Sequence, residues 1–390
     1  MPTKTADAII IGGGVTGVSI AFHLAGLGVR RIEVLERKFL GAGGTGRSVG
    51  IVRQLYPTPE TTRMVRASLD VFRNFGDAVG GQSGYVACGA LIGVSSSMRA
   101  GLLAQVEEQR ALGVKAQVLD PADLGRIEPR IDASGLGAVL YEPESGYGDP
   151  AAVTTGYAEA ARDSGVSIQQ GAEVVAISSD GGRVSGVTTR TEQVAAPIVV
   201  NAAGLWSRQV ARLAGVELPI VIGRHPVFIV KRQEAFGPAH MVYLDLAGGS
   251  YVRPETGSLT LTGSLTDDEA HHPMDPDLLG NPTDFEEASQ TLQHTARALP
   301  GLSDARFVQG YAGAFDITPD WMPILDETPQ PGFYVAAGMS GHGFKLAPMI
   351  GAMMAALITR SDSPVSLVPF RLDRFAGRAA TGTFVSSYVR

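Results

Sequence analysis

Residues 7–37 read DAIIIGGGVTGVSIAFHLAGLGVRRIEVLER, and they decide the fold. An apolar run from Ala8 to Ile11 predicts a buried strand. Gly12-x-Gly14-x-x-Gly17 follows, then a helical stretch to about Gly28 with Val18, Ala21, Phe22 and Ala25 on its inner face. A second apolar run, Arg31 to Leu35, ends in Glu36. In such a strand, turn, helix and strand unit, Gly12 makes the tight turn and Gly14 lets a pyrophosphate approach the backbone. Gly17 lets the helix pack closely on the sheet. Val15 and Thr16 lie at the helix start, whose N–H groups suit phosphate, and Glu36 is placed to bond ribose hydroxyls. An acidic residue there disfavours a 2′-phosphate. This unit predicts a dinucleotide site without saying whether the dinucleotide is NAD or FAD.

The next stretch separates the two. A nicotinamide dehydrogenase should continue the alternation of strand and helix, but residues 37–72, RKFLGAGGTGRSVGIVRQLYPTPETTRMVRASLDVF, bring another glycine-rich loop before a helix resumes. Residues 171–207 then predict two strands joined by an Asp180-Gly181-Gly182 turn and an apolar strand, Ile198 to Val200, running into Asn201-Ala202-Ala203-Gly204. Strand, hairpin and parallel strand ending in small residues is the layout of an FAD-binding Rossmann-like α/β domain.

Composition agrees with a large folded globular protein. The 390 residues are 44% apolar and 18% charged, with a net charge of −7 and no basic run. That balance argues against nucleic acid and anionic membrane surfaces as partners and points to a small-molecule substrate. A single cysteine, Cys88, excludes an internal disulfide framework and CxxC metal sites, and fits a reducing, cytoplasmic setting. The N-terminal apolar stretch breaks at GGG, unlike a secretory leader, and the run from Leu346 to Ile358 is too short to span a bilayer, so it predicts a buried helix. His271 and His272 with Asp267, Asp268 and Asp275 lack the spacing of a metal site and read as a solvated loop.

Several stretches together resemble the FAD-dependent D-amino-acid oxidase superfamily, in its sarcosine oxidase and glycine oxidase branch, with sarcosine oxidase β-subunit-like proteins as the nearest pattern. They are IIIGGGVTG with Glu36, GAGGTGRSVGIVRQ (41–54), GYGDPAAVTTGYAEAARDSG (146–165), VVNAAGLWS (199–207), TPDWMPIL (318–325) and GFYVAAGMSGHGFKLAPMIG (332–351), in family order over nearly the whole chain. The resemblance implies a glutathione-reductase-type FAD domain from residues 1–85, 141–218 and 321–390. An interleaved antiparallel-sheet substrate domain would come from 86–140 and 219–320, where RHPVFIVKR, HMVYLDL, GSYVRPE and GSLTLTGSL are β-rich. It also implies cofactor contacts from Arg37, Gly44, Thr45, Arg47, Ser48, Gly50, Ile51, Val174, Ala202, Gly204, Trp206, Gly313, Gly341, Gly343, Phe344 and Lys345, beside the fingerprint residues.

For catalysis the resemblance implies that Arg53 and Lys345 bind a substrate carboxylate. Lys345 stands out in any case, as one of five lysines and a cation at the start of a helix. His342 could bond the flavin or substrate, or only shape its turn. His225 reads either as an active-site strand residue or as a core histidine. Relatives with covalent flavin use a cysteine where this chain has Gly313 and a histidine where it has Gly148, which implies non-covalent FAD. No lysine lies between Lys231 and Lys345 to activate O₂, and Arg253 is the nearest cation in that region. O₂ or another acceptor is therefore open.

The implied reaction is hydride transfer from the C–N carbon of a small amino acid or N-alkyl amino acid. A 2-hydroxy-acid dehydrogenase and a FAD-bearing subunit of a larger amine dehydrogenase complex are the competing readings, and a homo- or hetero-oligomer is left open.

Overall fold

The computed structural model describes residues 3–265, 273–280 and 282–377. Its centre is a six-stranded sheet in the order Ile324–Glu327, Phe333–Ala337, Val199–Asn201, Ala8–Ile11, Ile32–Glu36 and Ser167–Gln170. The pairs are parallel except the first, which is a hairpin. Successive side chains leave opposite faces, so the continuous apolar runs serve two cores at once. Ile10, Val34 and Val200 pack with Ile20, Leu24, Met353 and Met354 of the helices Val15–Gly26 and Gly343–Thr359. Ile9, Ile11, Leu35 and Val199 pack with Val187 and Val194 on the other face. Those two valines belong to a four-stranded sheet that holds the predicted hairpin, Val174–Asp180 with Arg183–Thr189.

The first helix ends at Gly26 rather than Gly28, and Leu24 is buried while Phe22 and Ala25 are only half-buried. The second apolar strand runs Ile32–Glu36, one residue beyond the expected start, because Arg31 turns outward to pair with Asp7. The C-terminal helix begins at Gly343, three residues ahead of the apolar run. That start puts Lys345 inside the first helical turn. The helix is apolar all round and buried for most of its length, as a helix sandwiched between layers must be.

An eight-stranded sheet forms the second layer, in the order Arg306–Ile317, Val221–Lys231, Leu259–Ser264, Ser250–Glu255, Val242–Asp245, Ala90–Val94, Ala138–Glu142 and Gln117–Leu119. It is not wholly antiparallel: Val242–Asp245 and Ala90–Val94 run parallel, joining its two chain segments. A capping box at Asp284 and Glu287 starts the helix Phe285–Ala298, which packs on this sheet at the buried Thr262–Thr295 hydroxyl pair, 2.6 Å apart. Asp267, Asp268, His271 and His272 lie outside the described residues, and Asp275 caps a single turn by accepting from the Asp277 N–H. Among the described residues no cluster of metal-ligating side chains occurs, and no helix is long and apolar enough to cross a membrane.

Candidate active site

The glycines of the fingerprint do two different things. Gly12 has φ of +114°, and a Cβ there would lie 2.4 Å from the Ala202 carbonyl oxygen. A Cβ on Gly17 would lie 2.0 Å from the Gly12 carbonyl oxygen. Both therefore allow backbones to touch. A Cβ on Gly14 would meet only Thr45 Oγ1, at 3.1 Å, so Gly14 instead leaves room facing a cavity. The N–H of Val15 donates to that Thr45 hydroxyl, and the buried Glu36 carboxylate accepts from the Gly13 and Lys38 N–H groups, each at 2.8 Å. This fixes an anion beside the helix N-terminus.

The cavity is about 470 Å³ and opens between the nucleotide-type layer and the eight-stranded sheet. Every residue named above as a cofactor contact lines it except Gly17 and Gly50. Gly50 has φ of +71° and would place a Cβ 2.2 Å from the Gly148 carbonyl oxygen, so its task is a backbone crossing. Near Glu36, Arg37 stacks over the Trp206 ring at 4.2 Å. Asp277 clasps both, accepting from Arg37 at 2.6 Å and from the Trp206 indole at 2.8 Å. The free edge of Gly14, the anchored carboxylate of Glu36 and the glycine-lined helix start fit a dinucleotide such as FAD.

Arg53 and Lys345 line the same cavity, only 1% and 6% exposed. Arg53 donates to the Leu55 carbonyl and lies 4.6 Å from the Tyr56 ring centre. Lys345 Nζ donates to the Gly341 carbonyl at 3.1 Å. Burial, and then the Arg53 charge, push Lys345 well below the ordinary lysine range.

Two of the four expected catalytic residues sit elsewhere. His342 is absent from the cavity lining; it is buried edge-on against Tyr56, with ring centres 5.3 Å apart. Burial first, then Lys345 and Arg53, hold its imidazole neutral. Arg253 is also withheld from the cavity. Its guanidinium donates to the Val49 carbonyl at 2.6 Å and to Glu255 at 2.7 Å, and it lies over the Tyr147 ring at 4.1 Å. It ties the sheet to the second glycine loop.

Tyr251, Phe315 and Asp316 are among the lining residues that the sequence reading missed, and it left His225 open. His225 does line the cavity, with Nε2 3.1 Å from the Tyr251 hydroxyl and its ring stacked on Phe315 at 4.3 Å. Tyr251 stands two residues before Arg253 on a strand, and that period of two was the available signal. The Asp316 carboxylate is buried, accepts from the Gly338 N–H at 2.9 Å, and is raised by burial to about 6.

A Rossmann-like sheet whose glycine cradle opens toward a roofing sheet, with the cavity running between them, defines the two-layer class of flavoprotein oxidoreductases. The chain belongs to the DAO family of FAD dependent oxidoreductases, whose pattern matches residues 7–357. It is 29% identical to sarcosine oxidase subunit beta of Rhizobium meliloti (strain 1021), over 96% of this chain and 89% of that protein. It is 28% identical to the mitochondrial sarcosine dehydrogenase of Homo sapiens over 95% of this chain, but spans only 42% of that protein. Among solved structures, L-proline dehydrogenase from P. horikoshii superposes with a TM-score of 0.87 at 25% identity, covering 96% of this chain and 98% of that one.

Proposed function

We propose that this protein oxidises the C–N bond of a small amino acid or N-alkyl amino acid with non-covalently held FAD. The observation that carries the reading is Lys345: a buried amino group in the cavity wall whose only hydrogen bond among the described residues is to a carbonyl, beside the buried guanidinium of Arg53. A guanidinium beside an amine able to take up a proton, in one enclosed space, is best matched by a small anion, and a substrate carboxylate supplies it. The names of the relatives, sarcosine oxidase, sarcosine dehydrogenase and L-proline dehydrogenase, are all those of enzymes acting on such carboxylates, and support the class.

The chain's own residues divide the work. Arg53 and Lys345 fix the carboxylate end, and so orient the adjacent carbon. Val227, Leu244, Leu265 and Phe315 supply an apolar wall that limits water, and the His225–Tyr251 pair offers the polar contact opposite. Bound FAD supplies hydride acceptance at flavin N5. Gly148 and Gly313 carry no side chain for a flavin linkage, and Cys88 lies outside the cavity lining. In this reading residues 1–85, 141–218 and 321–390 hold the cofactor, and 86–140 with 219–320 form the substrate domain. A further subunit also fits, since one relative is itself named a subunit.

Anaerobic mixing with a panel of primary and secondary amino acids should bleach the flavin absorbance, and acid precipitation should release all the yellow colour. Bleaching by 2-hydroxy acids and by no amino acid would overturn the assignment.

A further inference from the structure

Lys345 has neighbours on two elements, and a third shares its cavity. Its own helix start brings His342 and the Gly341 carbonyl, and the 53–56 segment brings Arg53. From the roofing sheet, Asp316, whose carboxylate accepts from Gly338, and the His225–Tyr251 pair line the same cavity. Glu142, behind Arg53, is committed to the Gln54 N–H at 2.8 Å and the Ser145 hydroxyl at 2.6 Å. None of these carboxylates pairs with Lys345. An ammonium carries three N–H donors, and the described residues offer Nζ one acceptor. A neutral amine suits that surrounding better, and it keeps a lone pair at the cavity wall.

We propose that Lys345 is the proton acceptor for the substrate's ammonium group, a reading that rests on carboxylate binding at Arg53 and Lys345. The resting side chain is an amine. When a zwitterionic amino acid binds, one N–H bond of the substrate ammonium breaks and an Nζ–H bond forms, with no change in the total charge of protein plus substrate. The substrate nitrogen gains the lone pair that oxidation of its neighbouring C–H bond requires, and the new lysine ammonium faces the substrate carboxylate. The same carboxylate makes the transfer favourable, because it offsets the burial and the Arg53 charge that otherwise oppose a second cation there. Anchoring and deprotonation are thus one event, and a ligand with a carboxylate but no ammonium must draw its proton from solvent.

Acetate is such a ligand. Titration calorimetry of the FAD-loaded protein at pH 8, in phosphate and in Tris, whose ionisation heats differ widely, should show close to one proton taken up per acetate bound. Acetate affinity should weaken about tenfold per pH unit above neutrality, as expected when binding is coupled to one proton. Lys345→Arg, permanently charged, should bind acetate without uptake and with a flat pH profile, its flavin content checked by absorbance. Acetate binding to the wild type without proton uptake overturns the proposal and leaves the carboxylate site standing. Uptake that persists in Lys345→Arg overturns it in favour of another group, His342 first. Failure of acetate to bind at all removes the carboxylate reading along with it.

Discussion

A buried lysine is a cost to the fold that function must justify, and this gives Lys345 two separable signatures. Lys345→Met keeps the apolar stem and deletes a charge-assisted contact, which should weaken substrate and carboxylate inhibitors roughly ten- to a hundredfold, or about 1.5–3 kcal/mol, with FAD content unchanged. Arg53→Lys should weaken them too, since a point charge cannot reproduce a forked contact. Stability should move the other way. Because the folded protein depresses the Lys345 pKa, the unfolded chain holds a proton that the folded one does not, and stability rises with pH up to the ordinary lysine value. Lys345→Met should therefore raise the melting temperature at pH 7, by an amount that shrinks as pH approaches 10. Unchanged ligand affinity with an altered flavin spectrum would instead assign the lysine to the cofactor.

Asp316 gives the opposite dependence. Its folded value, about 6, lies above the ordinary 3.8, so its favourable contribution is complete below about 4 and is lost as pH rises through 6. Urea unfolding of wild type and Asp316→Asn at pH 4.5 and 8 should show the wild type losing ground to the variant by about 1.4 kcal/mol per pH unit up to pH about 6, with no further loss above it. A constant difference would mean that Asp316 does not titrate there. Asp316 was hidden in the sequence, because nothing in AFDITPD says that the strand carries its carboxylate under the 338–341 loop.

At the scale of elements, the βαβ unit was the most legible part, since Gly12, Gly14 and Gly17 answer to local geometry. Their substitutions should diverge. Gly14→Val points a side chain into the cavity rather than into backbone, so the protein should fold and purify without FAD; normal flavin content would misplace the fingerprint. The clasp of Arg37, Trp206 and Asp277 was not legible, for its members come from three elements far apart in sequence. Asp277→Ala frees both partners at the cavity mouth. FAD release, followed by flavin fluorescence after dilution, should speed up about two- to fivefold, in line with a partly exposed ion pair worth about 0.5–1 kcal/mol. An unchanged rate would make the clasp a surface decoration.

Considered whole, the molecule places no lysine on the roofing sheet within its cavity wall, and turns Arg253 away to hold Val49. Reduced protein should therefore react slowly with O₂ in stopped flow while passing electrons readily to an acceptor dye. Fast reoxidation would shift attention to His225 or Lys345. The sequence by itself determined the nucleotide unit, because glycine spacing and apolar periodicity act within a few residues of chain, whereas Arg53 and Lys345 were singled out through the family resemblance. Tertiary structure alone decided which polar groups reach the cavity. Arg253 and Tyr251 share one strand and one face, yet the first is drawn off by the Val49 carbonyl and Glu255 while the second meets His225. Glu255 is a local partner, but His225 and Val49 stand 26 and 204 residues away from Tyr251 and Arg253, and no local pattern encodes that.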